Sequence, residues 1–180
     1  MKIIIGLGNP GQEYTSTRHN IGFEILDALR KEANCSIWEF NKKFNAEISK
    51  GNFNDTEVLL VKPQTFMNLS GVAVRNIIDF YKLTVENIII IHDDIDIELG
   101  TYKVATDSRS AGHNGVQNII DQLGTQKFTR LRLGVGAVTT DEPSCRLGAH
   151  DFVLGKFSEA EKKKIESITE NIISEIKNLL

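Results

Sequence analysis

Asn87-Ile88-Ile89-Ile90-Ile91-His92-Asp93-Asp94-Ile95-Asp96 runs through the middle of the chain, apolar in its first half and acidic in its second. Four isoleucines without polar alternation describe a strand over Asn87–Ile91, buried on both faces as in the interior of a parallel sheet. Such a strand needs a helix layer above and below it. Working outward, Ile3–Gly8 reads as another short apolar strand, and Ile21–Ala33 carries Ile21, Ile25 and Leu29 at helical spacing. Phe44-Ala46-Ile48 alternates, Gly51-Asn52 reads as a break, and Glu57–Lys62 continues as a strand on the other side of it. Ser70–Lys82 is a helical stretch with Ser70 as a candidate N-cap. Thr101–Ala105 and Leu131–Val135 are strand candidates, and His113–Leu123 is a helix closed by Gly124. The last helix opens at a capping box, Ser158 with Glu161 three residues on. Apolar strands separated by amphipathic helices predict a three-layer α/β/α sandwich, one domain over residues 1–180, with a mixed, mostly parallel central sheet.

The composition fits that expectation. A chain of 180 residues, 41% hydrophobic and 25% charged, is ordinary for a globular domain and long enough to need no metal or disulfide staple. No apolar run approaches the ~20 residues of a membrane-spanning helix, and Met1-Lys2 leads straight into a strand rather than a signal sequence. Cys35 and Cys145 are far apart, without metal-ligand spacing, and read as buried free thiols in a reducing cytoplasm. Net charge is −3, so no global basic footprint exists. Locally the balance differs: Thr84–Gly100 carries five carboxylates and no Lys or Arg. Thr101–Val135 carries five basic residues against Asp107 and Asp121. Polyanion binding is therefore a local matter.

Gly6-Leu7-Gly8-Asn9-Pro10-Gly11 matches the dinucleotide fingerprint letter by letter, but no helix opens at its glycines and no acidic second strand follows. A loop at the C-terminal edge of a strand, where α/β sheets place ligands, is the better reading. That loop ends in Arg18-His19-Asn20 before a helix, and His92-Asp93-Asp94 follows the apolar strand ending at Ile91. Both junctions can open on one sheet edge, which makes a His19–Asp93 dyad worth considering: the carboxylate fixes one imidazole tautomer and leaves the other nitrogen as a base. The bland reading of Asp93, Asp94 and Asp96 is a solvated turn; another is a divalent-metal site using His92. Asn9, Asn68 and Asn114 sit in loop-like settings where neutral amides can hold a carbonyl or a water. There is no nucleophile elbow, so water activated by a base is the hydrolytic chemistry to expect.

Taken together, several segments resemble the bacterial peptidyl-tRNA hydrolase family, in order and spacing, from Met1 to about Phe157. They are Ile5-Gly6-Leu7-Gly8-Asn9-Pro10-Gly11 with Tyr14 and Thr17-Arg18-His19-Asn20; Lys62-Pro63-Gln64-Thr65-Phe66-Met67-Asn68-Leu69-Ser70-Gly71; His92-Asp93-Asp94-Ile95-Asp96; Gly112-His113-Asn114-Gly115; and Arg130-Leu131-Arg132-Leu133-Gly134-Val135-Gly136. The resemblance implies hydrolysis of the ester between a peptide and the tRNA 3′-terminal ribose, by a cytoplasmic monomer needing neither cofactor nor metal. It implies that His19 is the base and Asp93 its stabiliser, and that Asn9 helps separate N-blocked peptidyl-tRNA from free aminoacyl-tRNA. Tyr14, Phe66, Met67, Asn68, His113 and Asn114 match substrate-side positions.

Two departures stand out. Where the family often carries a glycine-rich run, this chain has Asp107-Ser108-Arg109-Ser110-Ala111. The family often clamps the tRNA 5′-phosphate with a lysine and an arginine; Arg132 matches the arginine, Ala105 occupies the lysine's place, and Arg109 is the candidate replacement. Two other classes compete with this reading: a non-catalytic RNA-binding relative, and a metal-dependent hydrolase built on Asp93, Asp94 and His92.

Overall fold

A computed structural model describes residues 1–53, 55–136 and 148–180; Cys145 lies outside them. The strands are β1 (Lys2–Gly6), β2 (Glu39–Asn41), β3 (Ala46–Phe53), β4 (Thr56–Pro63), β5 (Ile88–Glu98), β6 (Tyr102–Ala105) and β7 (Thr129–Gly136). The α-helices are α1 (Ile21–Glu32), α2 (Ser70–Tyr81), α3 (Asn114–Leu123), α4 (Ala149–Leu154) and α5 (Glu159–Asn178). All seven strands join one sheet in the order β2-β3-β4-β1-β5-β7-β6. Its centre is parallel (β4, β1, β5, β7) and its margins, β2-β3-β4 on one side and β7-β6 on the other, are antiparallel.

The strands feed two cores by simple alternation. Ile4, Val58, Leu60, Ile91 and Leu131 face α1 and α5, whereas Ile3, Ile5, Leu59, Val61, Ile88 and Ile90 face α2 and α3. A strand with apolar residues at every position is the consequence of having a helix layer on each face. Gly6 and Gly8 are packing positions: a Cβ at Gly6 would collide with the Gly22 carbonyl, and one at Gly8 with the Phe23 ring. The glycines that imitate a dinucleotide fingerprint thus let α1 approach the end of β1. Two short 3-10 turns, Gln12–Tyr14 and Arg18–Asn20, fill the polar stretch before α1.

Helix capping at Ser158 forms as the sequence predicts, with Ser158 and Glu161 bonding reciprocally, and Gly124 closes α3 in the left-handed region at φ 70. Three expectations are corrected. Gly51 and Asn52 do not break the chain; they pair with Val58 and Glu57 inside the β3–β4 hairpin. A Cβ at Gly51 would strike Cys35 Sγ, the buried free thiol, so the glycine lets the strand pack close against it. Ser70 is the first residue of α2 rather than its cap, and its hydroxyl donates to the Met67 carbonyl at 2.9 Å. The strand that begins at Ile88 does not end at Ile91 but continues to Glu98, because β7 stays beside it after β1 has finished. Among the described residues, no helix is long and apolar enough to cross a membrane.

Candidate active site

The last register pair between β1 and β5 is Gly6 with Ile91, so β5 carries His92, Asp93 and Asp94 past the end of its neighbour. The chain leaving β1 turns over that exposed edge, pinned by the Leu7 amide on the Ile91 carbonyl at 2.9 Å, and delivers His19 beside Asp93. His19 Nδ1 lies 2.8 and 2.9 Å from the two Asp93 oxygens. An ionised carboxylate only accepts hydrogen bonds, so Nδ1 carries the hydrogen and Nε2 of the neutral ring is left with its lone pair. Burial alone would raise the Asp93 carboxyl, but His113 and His19 hold it well below the ordinary carboxylate range.

A second imidazole shares that carboxylate. His113 Nε2 is 3.0 Å from Asp93 Oδ1, and His113 Nδ1 accepts the Val116 amide at the start of α3. His92, buried in the strand, donates from Nδ1 to the Asp93 carbonyl at 2.7 Å and packs edge-on against the His113 ring, centroids 4.7 Å apart. Its burial pushes it well below the usual imidazole range, with His113 adding to the effect. His19, Asp93, His113 and Asn114 border a cavity of about 290 Å³ whose apolar wall includes Ile95 and Val153.

Asn9 stands at the end of the β1 loop, nearly buried. The Asn20 side chain holds its backbone at both ends, accepting from Asn9 N and donating to Asn9 O, each at 2.9 Å. The Asn9 Oδ1 accepts the Met67 amide at 2.8 Å. With its oxygen engaged, Asn9 offers a ligand only its Nδ2 donors. Asn20 belongs to the same motif as His19, but nothing in one sequence distinguishes a clamp on Asn9 from an ordinary residue before a helix. Met67 is buried with its sulfur against Gly115, where a Cβ would lie 2.5 Å from it, so α3 and the 67–69 turn meet closely. Asn68 and Asn114 are both exposed. Tyr14 and the exposed Phe66 meet edge to face, centroids 6.5 Å apart.

Farther out, Arg132 donates from Nε to Asp94 Oδ2 at 2.8 Å. Its partner across β6–β7 is Lys103, while Ala105 faces Arg130. Lys103 carries no signal in the sequence, because cross-strand register is not visible in one dimension. Arg109 is exposed, and the loop carrying it is held by Arg130, which donates to the carbonyls of Ser108 and Arg109 and to the Ser108 hydroxyl. In place of a glycine run, Asp107 and Ala111 themselves adopt left-handed backbone, at φ 55 and 51.

Among the described residues, the one group with metal-ligand spacing is His19, Asp93 and His113, whose ligand atoms lie within 4.8 Å of one another. The set Asp93, Asp94 and His92 does not converge, since Asp94 is taken by Arg132 and His92 by the Asp93 carbonyl. A cation at the first group would have to displace both imidazole donors from Asp93.

A buried carboxylate holding an imidazole, with Asn114, beside a cavity at the C-terminal edge of an α/β sheet is an arrangement suited to hydrolysis, while Asn9 lines a separate groove. The family model for peptidyl-tRNA hydrolase matches residues 3–180. The peptidyl-tRNA hydrolase of Thermoanaerobacter sp. (strain X514) is 44% identical over 166 residues, covering 92% of this chain and 85% of the relative. That of Lachnoclostridium phytofermentans is 43% identical over 180 residues, covering 100% and 91%. The crystal structure of peptidyl-tRNA hydrolase from Acinetobacter baumannii superposes with a TM-score of 0.89 at 33% identity, covering 99% of this chain and 88% of that one. The chain belongs to the peptidyl-tRNA hydrolase family.

Proposed function

We propose that residues 1–180 act as one domain, a cytoplasmic monomer, that hydrolyses the ester of peptidyl-tRNA with His19 as general base. The observation that carries this reading is the Asp93-held His19 ring at the cavity, with Nδ1 against both carboxylate oxygens, an arrangement that leaves the lone pair of the neutral ring on Nε2. Nε2 removes a proton from a water aimed at the ester carbonyl, and Asp93 stabilises the imidazolium that forms. Help of this kind contributes ~10²–10⁴-fold. Asn68 and Asn114 position the ester or donate to its developing oxyanion. The hydroxyl of the tRNA 3′-terminal ribose leaves with a proton returned by His19.

The hydrogen bonding of Asn9 supplies a reason for selectivity. Nδ2 can donate to the carbonyl of an acylated amine, whereas a free ammonium brings only donors to a donor. Tyr14, Phe66 and Met67 supply the apolar contacts to the substrate. For the tRNA, alternation puts Lys103 on the same face of β6 as Ala105, and cross-strand partners share a face, so Lys103 and Arg132 form the basic pair that meets phosphate. Arg109 is a further phosphate contact from the neighbouring loop. The test is a release assay on peptidyl-tRNA with wild type and His19→Ala. The wild type should turn over and the variant should lose at least a hundredfold while still binding tRNA. Wild-type binding without release would establish an RNA-binding relative, and near-normal release by the variant would remove His19 as base.

A further inference from the structure

His113 stands between two fixed partners. On one side its Nδ1 accepts the Val116 amide at 3.2 Å, making its side chain the N-cap of α3; on the other its Nε2 faces Asp93 Oδ1 at 3.0 Å. The side chain is 7% exposed. Gly115 makes room for its ring, since a Cβ there would come within 3.2 Å of Cε1. The titratable groups facing it are Asp93 and His92 from β5 and His19 from the turn before α1, with ring centroids 4.7 Å from His92 and 4.8 Å from His19. Asp94 and His150 border the same cavity, Asp94 engaged by Arg132 and His150 beside Asp151.

An amide N–H can bond to Nδ1 only if that nitrogen has no hydrogen, so α3 dictates the tautomer: Nδ1 bare, Nε2–H donating to Asp93. Protonating His113 would place an N–H against the Val116 N–H and a positive charge at a helix N-terminus, where the peptide dipoles oppose it. His19, the other imidazole on Asp93, meets no such obstacle at Nε2. We propose that His113 is a positioning residue acting through Asp93: it pins the carboxylate and stays neutral, so the proton taken from water resides on His19 alone. This role rests on the reading of His19 as base and replaces a direct substrate contact for His113. By sharing Oδ1, the His113 N–H also draws off part of the charge that would otherwise hold a proton on His19.

The test has two arms. Imidazole ¹⁵N spectra of the intact wild-type protein across pH 5.5–8.5 should show His113 as the Nε2–H tautomer throughout, while His19 changes protonation state. This arm does not depend on turnover, so it can fail or succeed separately from the His19 assignment. His113→Asn keeps a capping oxygen for Val116 but is too short to serve Asp93 as well. On peptidyl-tRNA it should lower kcat about tenfold, leave KM within twofold, and move the acidic limb of the pH–rate profile up by about half a unit. A raised KM with kcat and limb unchanged would make His113 a substrate contact. An Nδ1–H tautomer, or protonation of His113 in step with His19, would overturn the proposal whatever the variant does.

Discussion

His19 Nδ1 contacts both oxygens of Asp93, at 2.8 and 2.9 Å, although the two residues are 74 positions apart. The contact exists because β5 outruns β1 by the residues that carry the carboxylate, and the chain leaving β1 folds back over the uncovered edge. Placement of an acid and a base on separate elements of one sheet edge lets each be held by its own packing.

Asp93→Asn removes the negative charge that favours the protonated imidazole. Turnover should fall, by less than in His19→Ala, and the acidic limb of the pH–rate profile should move to lower pH. An unchanged rate with an unchanged profile would disconnect Asp93 from His19.

Asn9→Asp retains an oxygen for the Met67 amide but turns an acceptor, instead of a donor, toward the substrate. Release from N-blocked peptidyl-tRNA should drop at least tenfold, and its ratio to release from free aminoacyl-tRNA should shrink. Steady-state comparison of the two substrates reads both numbers. A ratio equal to that of the wild type would detach selectivity from this amide.

Lys103→Ala and Arg132→Ala should each weaken binding of full-length substrate and flatten its salt dependence, the slope falling by about 0.7–0.9 for every phosphate left unneutralised. Hydrolysis of a peptide ester on a short 3′-terminal fragment should scarcely change. Arg109→Ala, measured in the same salt series, tells whether the loop adds a phosphate partner. A slope altered by Arg109→Ala but not by Lys103→Ala would shift the grip from the β6–β7 pair to the loop.

Because His92 in the folded protein lies well below the usual imidazole range, the unfolded chain takes up a proton below about pH 6.5 that the native state refuses. Stability should therefore fall as pH drops from about 6.5, by on the order of 1 kcal/mol per pH unit. Asp93, shifted down, keeps its contribution until the pH falls below about 4, where unfolded carboxylates begin to bind protons. Denaturant unfolding between pH 7 and 5 should show a shallower slope for His92→Phe than for wild type. Identical slopes would place the acid sensitivity elsewhere.

Ala111 holds φ at 51 without glycine's freedom. Ala111→Gly should stabilise the protein by about 0.5–1 kcal/mol, the left-handed cost outweighing the backbone entropy that glycine loses. A drop in stability would indicate that the Ala111 side chain packs productively.

The amino-acid sequence by itself determined the layers and most of their boundaries. Unbroken apolar runs at Ile3–Ile5 and Ile88–Ile91 demand burial on two faces, and the Ser158–Glu161 box and Gly124 act through bonds to residues three or four away. Among the motif residues, His19 and Asp93 stand out because their junctions follow those strands, whereas Asn9 and Asn114 take their proposed roles from the family resemblance. What only the tertiary structure decided depends on contacts across the sheet. Gly51 reads as a turn until Cys35 is found against it, and Lys103 is anonymous until the β6–β7 register sets it opposite Arg132. The continuation of β5 to Glu98 follows from its neighbour β7, not from the acidic residues within it. His113 likewise reads as a substrate-side residue at the head of a helix until Asp93 and the Val116 amide close on its two nitrogens. Local patterning is written in neighbouring residues, whereas pairing register and the tautomer of a shared imidazole arise only when distant segments meet.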